Sequence, residues 1–91
     1  MISFCIPRVY KHYTTDFIHE KLYSLHLGTI KRITEFPCKK DGNYKKIFIH
    51  YSDFEENKQL YYQLSKRGYI NVVYDNPWYW KLYKAYYQVP S

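Results

Sequence analysis

The pattern of apolar and polar residues divides this chain into predicted strands and helices. Short segments that are apolar or that alternate apolar and polar residues predict strands, and two longer segments have apolar residues at helical spacing. The predicted strands are residues 2–6, 29–36, 44–51 and 69–74. Pro7 closes the first strand and Pro37 the second, because proline cannot donate a ladder hydrogen bond. Asp41 and Gly42 predict a hairpin turn between the second and third strands.

The two remaining segments carry apolar residues every three or four positions, which predicts amphipathic helices. The apolar stripe of the first consists of Phe17, Ile18, Leu22 and Leu25. Gly28 follows as its expected C-terminal cap. The second helix, predicted over residues 53–67, begins at a capping box in which the Ser52 hydroxyl and the Glu55 carboxylate satisfy backbone N–H groups.

The resulting order of elements is strand, helix, strand, strand, helix, strand. It predicts one α+β domain over residues 1–75, with a ferredoxin-like βαββαβ arrangement: a four-stranded antiparallel sheet with both helices on one face. Residues 76–91 are predicted to be an aromatic, basic C-terminal tail packing on or beside the sheet. The alternation of Trp78, Trp80 and Leu82 fits an extended segment, whereas the tyrosines that follow fit a helix equally well.

Composition adds an expectation about partners. Aromatic residues make up 22% of the 91 residues, and the thirteen tyrosines are more than a small core can hold. The formal charge is +6, which favours nucleic acid, an acidic protein or an anionic membrane surface as partner. Residues 29–46 concentrate this charge, since they carry six basic and two acidic side chains.

Other function classes receive little support. Cys5 and Cys38 form no CxxC pair, and the cysteine and histidine spacings fit no closed metal site. No glycine-rich phosphate loop and no nucleophile–base spacing appears. No stretch resembles a signal peptide or approaches a membrane span. We therefore predict a non-catalytic, intracellular protein (cytoplasmic, nuclear or virion-internal, and not secreted) without metal, cofactor or membrane association.

Residues 2–74 resemble the RNA-recognition motif, or RRM, in the order of elements and in two strand patterns. Residues 44–51 correspond to the motif of the third strand, where Phe48 matches a base-stacking ring. Lys46 and Cys5 stand where the family has its other two stacking rings. The chain also resembles small uncharacterised RRM-like proteins of large DNA viruses through residues 73–81.

This resemblance implies a module that binds single-stranded nucleic acid on the uncovered face of the sheet, with RNA expected in preference to DNA. Phe48 is the expected stacking ring, and Lys46 and Arg32 are the expected phosphate contacts. The full set of predicted nucleic-acid-binding residues is Phe48, Lys46, His50, Arg32, Lys31, Lys39, Lys40 and Lys45. A second possibility is that Phe48 lies under the tail.

The alternative function is a protein-interaction or virion structural module. In that hypothesis the tail or the open sheet face docks on another chain or on a second copy of this one. The other interpretation of the tail is that at least one of its tryptophans completes the domain's own core, because exposing both would leave an apolar patch that soluble monomers avoid. The predicted partner-contacting residues are Trp78, Tyr79, Trp80, Lys81 and Tyr83.

Overall fold

The computed structural model describes residues 2–54 and 58–85 as one sheet with two helices. The elements are β1 (Ile2–Tyr10), α1 (Thr15–Tyr23), β2 (Gly28–Pro37), β3 (Tyr44–Phe54), α2 (Lys58–Arg67), β4 (Tyr69–Asp75) and β5 (Trp78–Ala85). The strands lie in the order β2-β3-β1-β5-β4, and each neighbouring pair is antiparallel. No helix in these described ranges is long and apolar enough to cross a membrane.

The core lies between one face of this sheet, which we call the inner face, and α1. Phe4 of β1, Ile49 of β3 and Leu82 of β5 are fully buried there, together with Ile18 and Leu22 of α1. Alternation along each strand delivers these side chains to one face, as period-two patterning requires. The α2 helix packs on the same side, and its Leu64 contacts the core cluster.

The predicted four-stranded ferredoxin-like sheet is wrong, because the sheet has five strands. Trp78–Ala85, assigned from the sequence to a tail, is β5 and separates β4 from β1. A short turn at residues 76 and 77 joins β4 to β5, so the two strands must pair as a hairpin. Trp80 and Leu82 then extend the inner apolar face, which places β5 beside β1 and β4 at the edge.

The first strand is also longer than the sequence indicates. It continues through Pro7 to Tyr10, and the register with β3 shifts between Ile6 and Val9. Two residues, Pro7 and Arg8, stand opposite Lys46 alone, which is the arrangement of a β-bulge. A bulge tolerates proline because the extra residue makes no regular ladder bond.

Both helices have ends that differ from those predicted. The α1 helix ends at Tyr23 with Ser24 as its cap, and Gly28 begins β2 instead of capping the helix. Ser52 lies within β3, so it does not cap α2. Glu55, the other half of the predicted capping box, lies outside the described residues.

Candidate nucleic-acid interface

The face of the sheet turned away from the helices, here called the outer face, combines aromatic and basic side chains. Strand register places on it Ser3, Cys5, Arg8, Tyr10, Arg32, Thr34, Phe36, Tyr44, Lys46, Phe48, His50, Tyr69, Asn71, Val73, Tyr79, Lys81, Tyr83 and Ala85. None of these residues is acidic, and four of them are lysine or arginine. The outer face is therefore electropositive, as an anionic partner requires.

One end of this face forms a groove beside the loop that joins β2 to β3. This hairpin groove has a volume of about 770 Å³ and is lined by Arg8, Phe36, Pro37, Cys38, Lys39, Lys40, Asp41, Tyr44, Lys46 and Phe48. Four basic side chains and one carboxylate give its lining a net charge of +3. Rings and cations thus share one concave surface, which is the combination that single-stranded nucleic acid requires.

A stack of flat groups forms one wall of the hairpin groove. The Arg8 guanidinium carbon lies 4.3 Å from the centre of the Tyr44 ring, a cation–π contact. On β1, the Tyr10 ring lies 4.7 Å from that of Tyr44, only 25° from parallel. A side-chain hydrogen bond with Tyr10 raises the pKa of the Tyr44 hydroxyl above its usual 10. The contacts within this stack hold its flat groups in place, which lowers the entropic cost of stacking a base on its end.

Phe48, the stacking ring predicted from the sequence, lies on the outer face but is only 6% exposed. Phe36 contacts it edge-on, with 5.5 Å between the ring centres, and Phe36 itself is 40% exposed. In this structure the rings open to a base are therefore at the groove wall, and Phe48 supports Phe36 from below.

The middle of the outer face is polar and half-buried. The Ser3 Oγ and His50 Nδ1 atoms are 2.8 Å apart, and Arg32 lies directly opposite His50 on β2. Burial raises the pKa of the Cys5 thiol above its usual value, so this thiol stays protonated at neutral pH. A protonated, half-buried thiol is a poor nucleophile.

The predicted basic residues divide between the two faces of the sheet. Lys39 and Lys40 are exposed in the loop at the hairpin groove, and Lys31 is exposed at the irregularity between Ile30 and Arg32. Lys45 lies on the inner side instead. Its Nζ donates to Glu35 Oε1 at 2.6 Å and to the Tyr13 carbonyl oxygen at 2.5 Å.

The contact with Lys45 lowers the pKa of Glu35, so the ion pair stabilises the fold above the usual carboxyl pKa of 4.5. That stabilisation is lost as the pH falls through the lower pKa that Glu35 has in the folded state.

We expect Glu35→Gln to lower the free energy of unfolding by less than about 1 kcal/mol at pH 7, because the carboxylate is partly exposed. The difference from the wild type should shrink below pH 4.5. Urea unfolding at pH 7 and at lower pH measures it, with Glu20→Gln as control. A difference that stays constant with pH would contradict the assignment.

The five predicted partner-contacting residues also lie on different sides of the sheet, because successive side chains of β5 point to opposite faces. Trp80 is buried in the core, stacked on Tyr74 with 4.3 Å between ring centres. Trp78 and Tyr79 are exposed to 65% and 46%. Lys81 and Tyr83 lie on the outer face with Tyr69, whose ring centre is 5.0 Å from the Lys81 Nζ and 5.6 Å from the Tyr83 ring centre.

The sequence-based prediction omitted three residues that line the groove, Arg8, Phe36 and Tyr44, and also Tyr10, which stacks on Tyr44. Arg8 and Tyr10 were assigned to a loop because Pro7 precedes them. The alternation of Arg8, Val9 and Tyr10 is the signal that could have extended the strand, since Val9 is fully buried between two outward-facing residues.

Within the described ranges, no group of three histidine, cysteine, aspartate or glutamate side chains could hold a metal ion. Comparisons with protein-family models, curated proteins and solved structures find no match to this chain.

Proposed function

We propose that this chain is a non-catalytic module that binds single-stranded nucleic acid, anchored in the hairpin groove. The observation that supports this most directly is the Arg8–Tyr44–Tyr10 stack standing beside three lysines: Lys39, Lys40 and Lys46. A base stacks on the exposed Phe36 ring or on the outer side of the Arg8 guanidinium plane, and the ammonium groups neutralise the flanking phosphates.

Single-stranded rather than duplex nucleic acid fits the wall of the groove. Its flat groups offer stacking surfaces, and only a base released from a duplex exposes its ring faces to them. Both RNA and DNA carry such bases. The protein can distinguish RNA from DNA only if one of its polar groups hydrogen-bonds to the 2′-hydroxyl of the ribose. Tyr44 lines the groove, and its hydroxyl is the candidate for that contact.

Titration of fluorescently labelled ten-nucleotide RNA and DNA, single-stranded and duplex, tests the proposal by fluorescence anisotropy. We expect the single strands to bind more tightly than the duplexes. Affinity should fall linearly with salt on logarithmic axes, with a slope of roughly 0.7 per phosphate neutralised. No binding to any oligonucleotide at about 50 mM salt would refute nucleic-acid binding.

The alternative of a protein-interaction module makes a different prediction for the same sample. Light scattering over a wide concentration range would then show a mass above that of the 11.3 kDa monomer, and moderate salt would not reverse it. Such association together with no oligonucleotide binding would transfer the assignment to a protein partner.

A further inference from the structure

The strands β1 and β5 form a fork that opens beside the hairpin groove. Among the described residues, the pairs between these strands are Ser3 with Ala85, Phe4 with Lys84 and Cys5 with Tyr83. Beyond Cys5, the bulge at Pro7 and Arg8 takes β1 along β3, whereas β5 continues along β4. Between the two diverging strands lies a second concave surface of about 450 Å³, here called the fork groove.

The lining of the fork groove is aromatic and cationic. Trp78, Tyr79 and Tyr83 come from β5, and Arg8 and Lys81 contribute the charges from opposite sides. None of the described residues that line it is acidic. The exposed fractions of Trp78 and Tyr79, 65% and 46%, leave large apolar surfaces in water at the mouth of a positive groove.

We infer that the fork groove is a second base-binding site, which takes an unpaired nucleobase from the strand held in the hairpin groove. This inference rests on the proposed function. Arg8 lines both grooves, so a strand that passes over this side chain reaches both. Occupying two linked sites raises affinity well beyond either site alone, because the second contact is intramolecular.

The charges decide which occupant the fork groove fits. A cation on each side and no acid favour a phosphodiester chain over a peptide of mixed charge. Stacking rings and cations together match a nucleotide more closely than an apolar protein surface.

The test is a double substitution, Trp78→Ala with Tyr79→Ala, titrated with the labelled ten-nucleotide strand. We expect about 5- to 100-fold weaker binding, the usual result of removing stacked rings. The matched control is Tyr23→Ala with Tyr62→Ala, which removes two rings exposed to 65% and 60% from the helices. The control should bind as the wild type does.

Conservative variants separate stacking from a structural effect. Trp78→Phe should retain affinity within about threefold because it keeps a ring, whereas Trp78→Leu should lose affinity while unfolding at the wild-type temperature.

Wild-type affinity in the double variant would overturn the inference and leave the hairpin groove intact as a site. No binding by the wild type would instead refute the proposed function. A double variant that loses self-association but keeps its oligonucleotide affinity would assign the fork groove to protein contact and overturn the inference.

Discussion

Replacing Trp80 by alanine is expected to lower the free energy of unfolding by about 3–5 kcal/mol, the usual cost of removing a buried tryptophan. Its indole is 4% exposed, stacks on Tyr74, and meets the edges of Tyr13 and Phe17. A domain of this size has about 5–15 kcal/mol in total, so the variant should unfold at a much lower denaturant concentration. Chemical unfolding followed by circular dichroism measures the change.

The same strand offers a matched control, because Trp78 lies two residues away and is 65% exposed. Trp78→Ala should change stability by no more than about 0.5 kcal/mol. Equal and small losses in the two variants would contradict the five-stranded sheet, since they would show that neither ring belongs to the core. A large loss at Trp80 alone supports β5 as an integral strand.

Reversing two charges of the hairpin groove, Arg8→Glu with Lys46→Glu, is expected to weaken oligonucleotide binding on the order of 100-fold at low salt. Both side chains line the groove, and Arg8 also supports the stacking ring of Tyr44. The loss of two phosphate contacts should reduce the salt slope by about 1.4. Anisotropy titrations over a series of salt concentrations measure both quantities.

A control with the same change in net charge isolates the position of these residues. Lys66→Glu with Arg67→Glu reverses two exposed charges at the end of α2, away from the outer face. We expect a small loss from long-range electrostatics and an unchanged salt slope. If both pairs weaken binding equally, net charge and not the groove holds the strand, and the proposed site is wrong.

The hairpin between β2 and β3 could be predicted from the sequence because its signals are local. Asp41 and Gly42 provide the turn, and the Asp41 carboxylate accepts a hydrogen bond from the Asn43 backbone N–H at 3.0 Å. Alternation along β3 correctly separated Lys46, Phe48 and His50 from the buried Ile47 and Ile49. The lysines at the tip of this hairpin therefore lie where the sequence indicated.

The position of β5 could not be predicted in the same way. Local alternation shows that Trp80 and Leu82 share one side, but it does not show which strand lies beside them. That choice depends on the contacts of Trp80 with Tyr13 and Phe17 and on the place of Leu82 in the core, all of which involve distant parts of the chain. Partner choice between strands is a long-range packing property, and a single sequence does not display it.

Local features of this protein thus follow from its sequence, whereas the packing of distant strands does not. The alternation of its strands, the stripe of α1 and the basic hairpin follow from the sequence itself, because each depends on neighbours a few residues apart. Only the tertiary structure decided that Pro7 lies inside a bulged strand, that β5 enters the sheet beside β1, and that Phe48 is covered. Each of these outcomes depends on how strands far apart in sequence pack against one another. Together they place Arg8 between the two grooves.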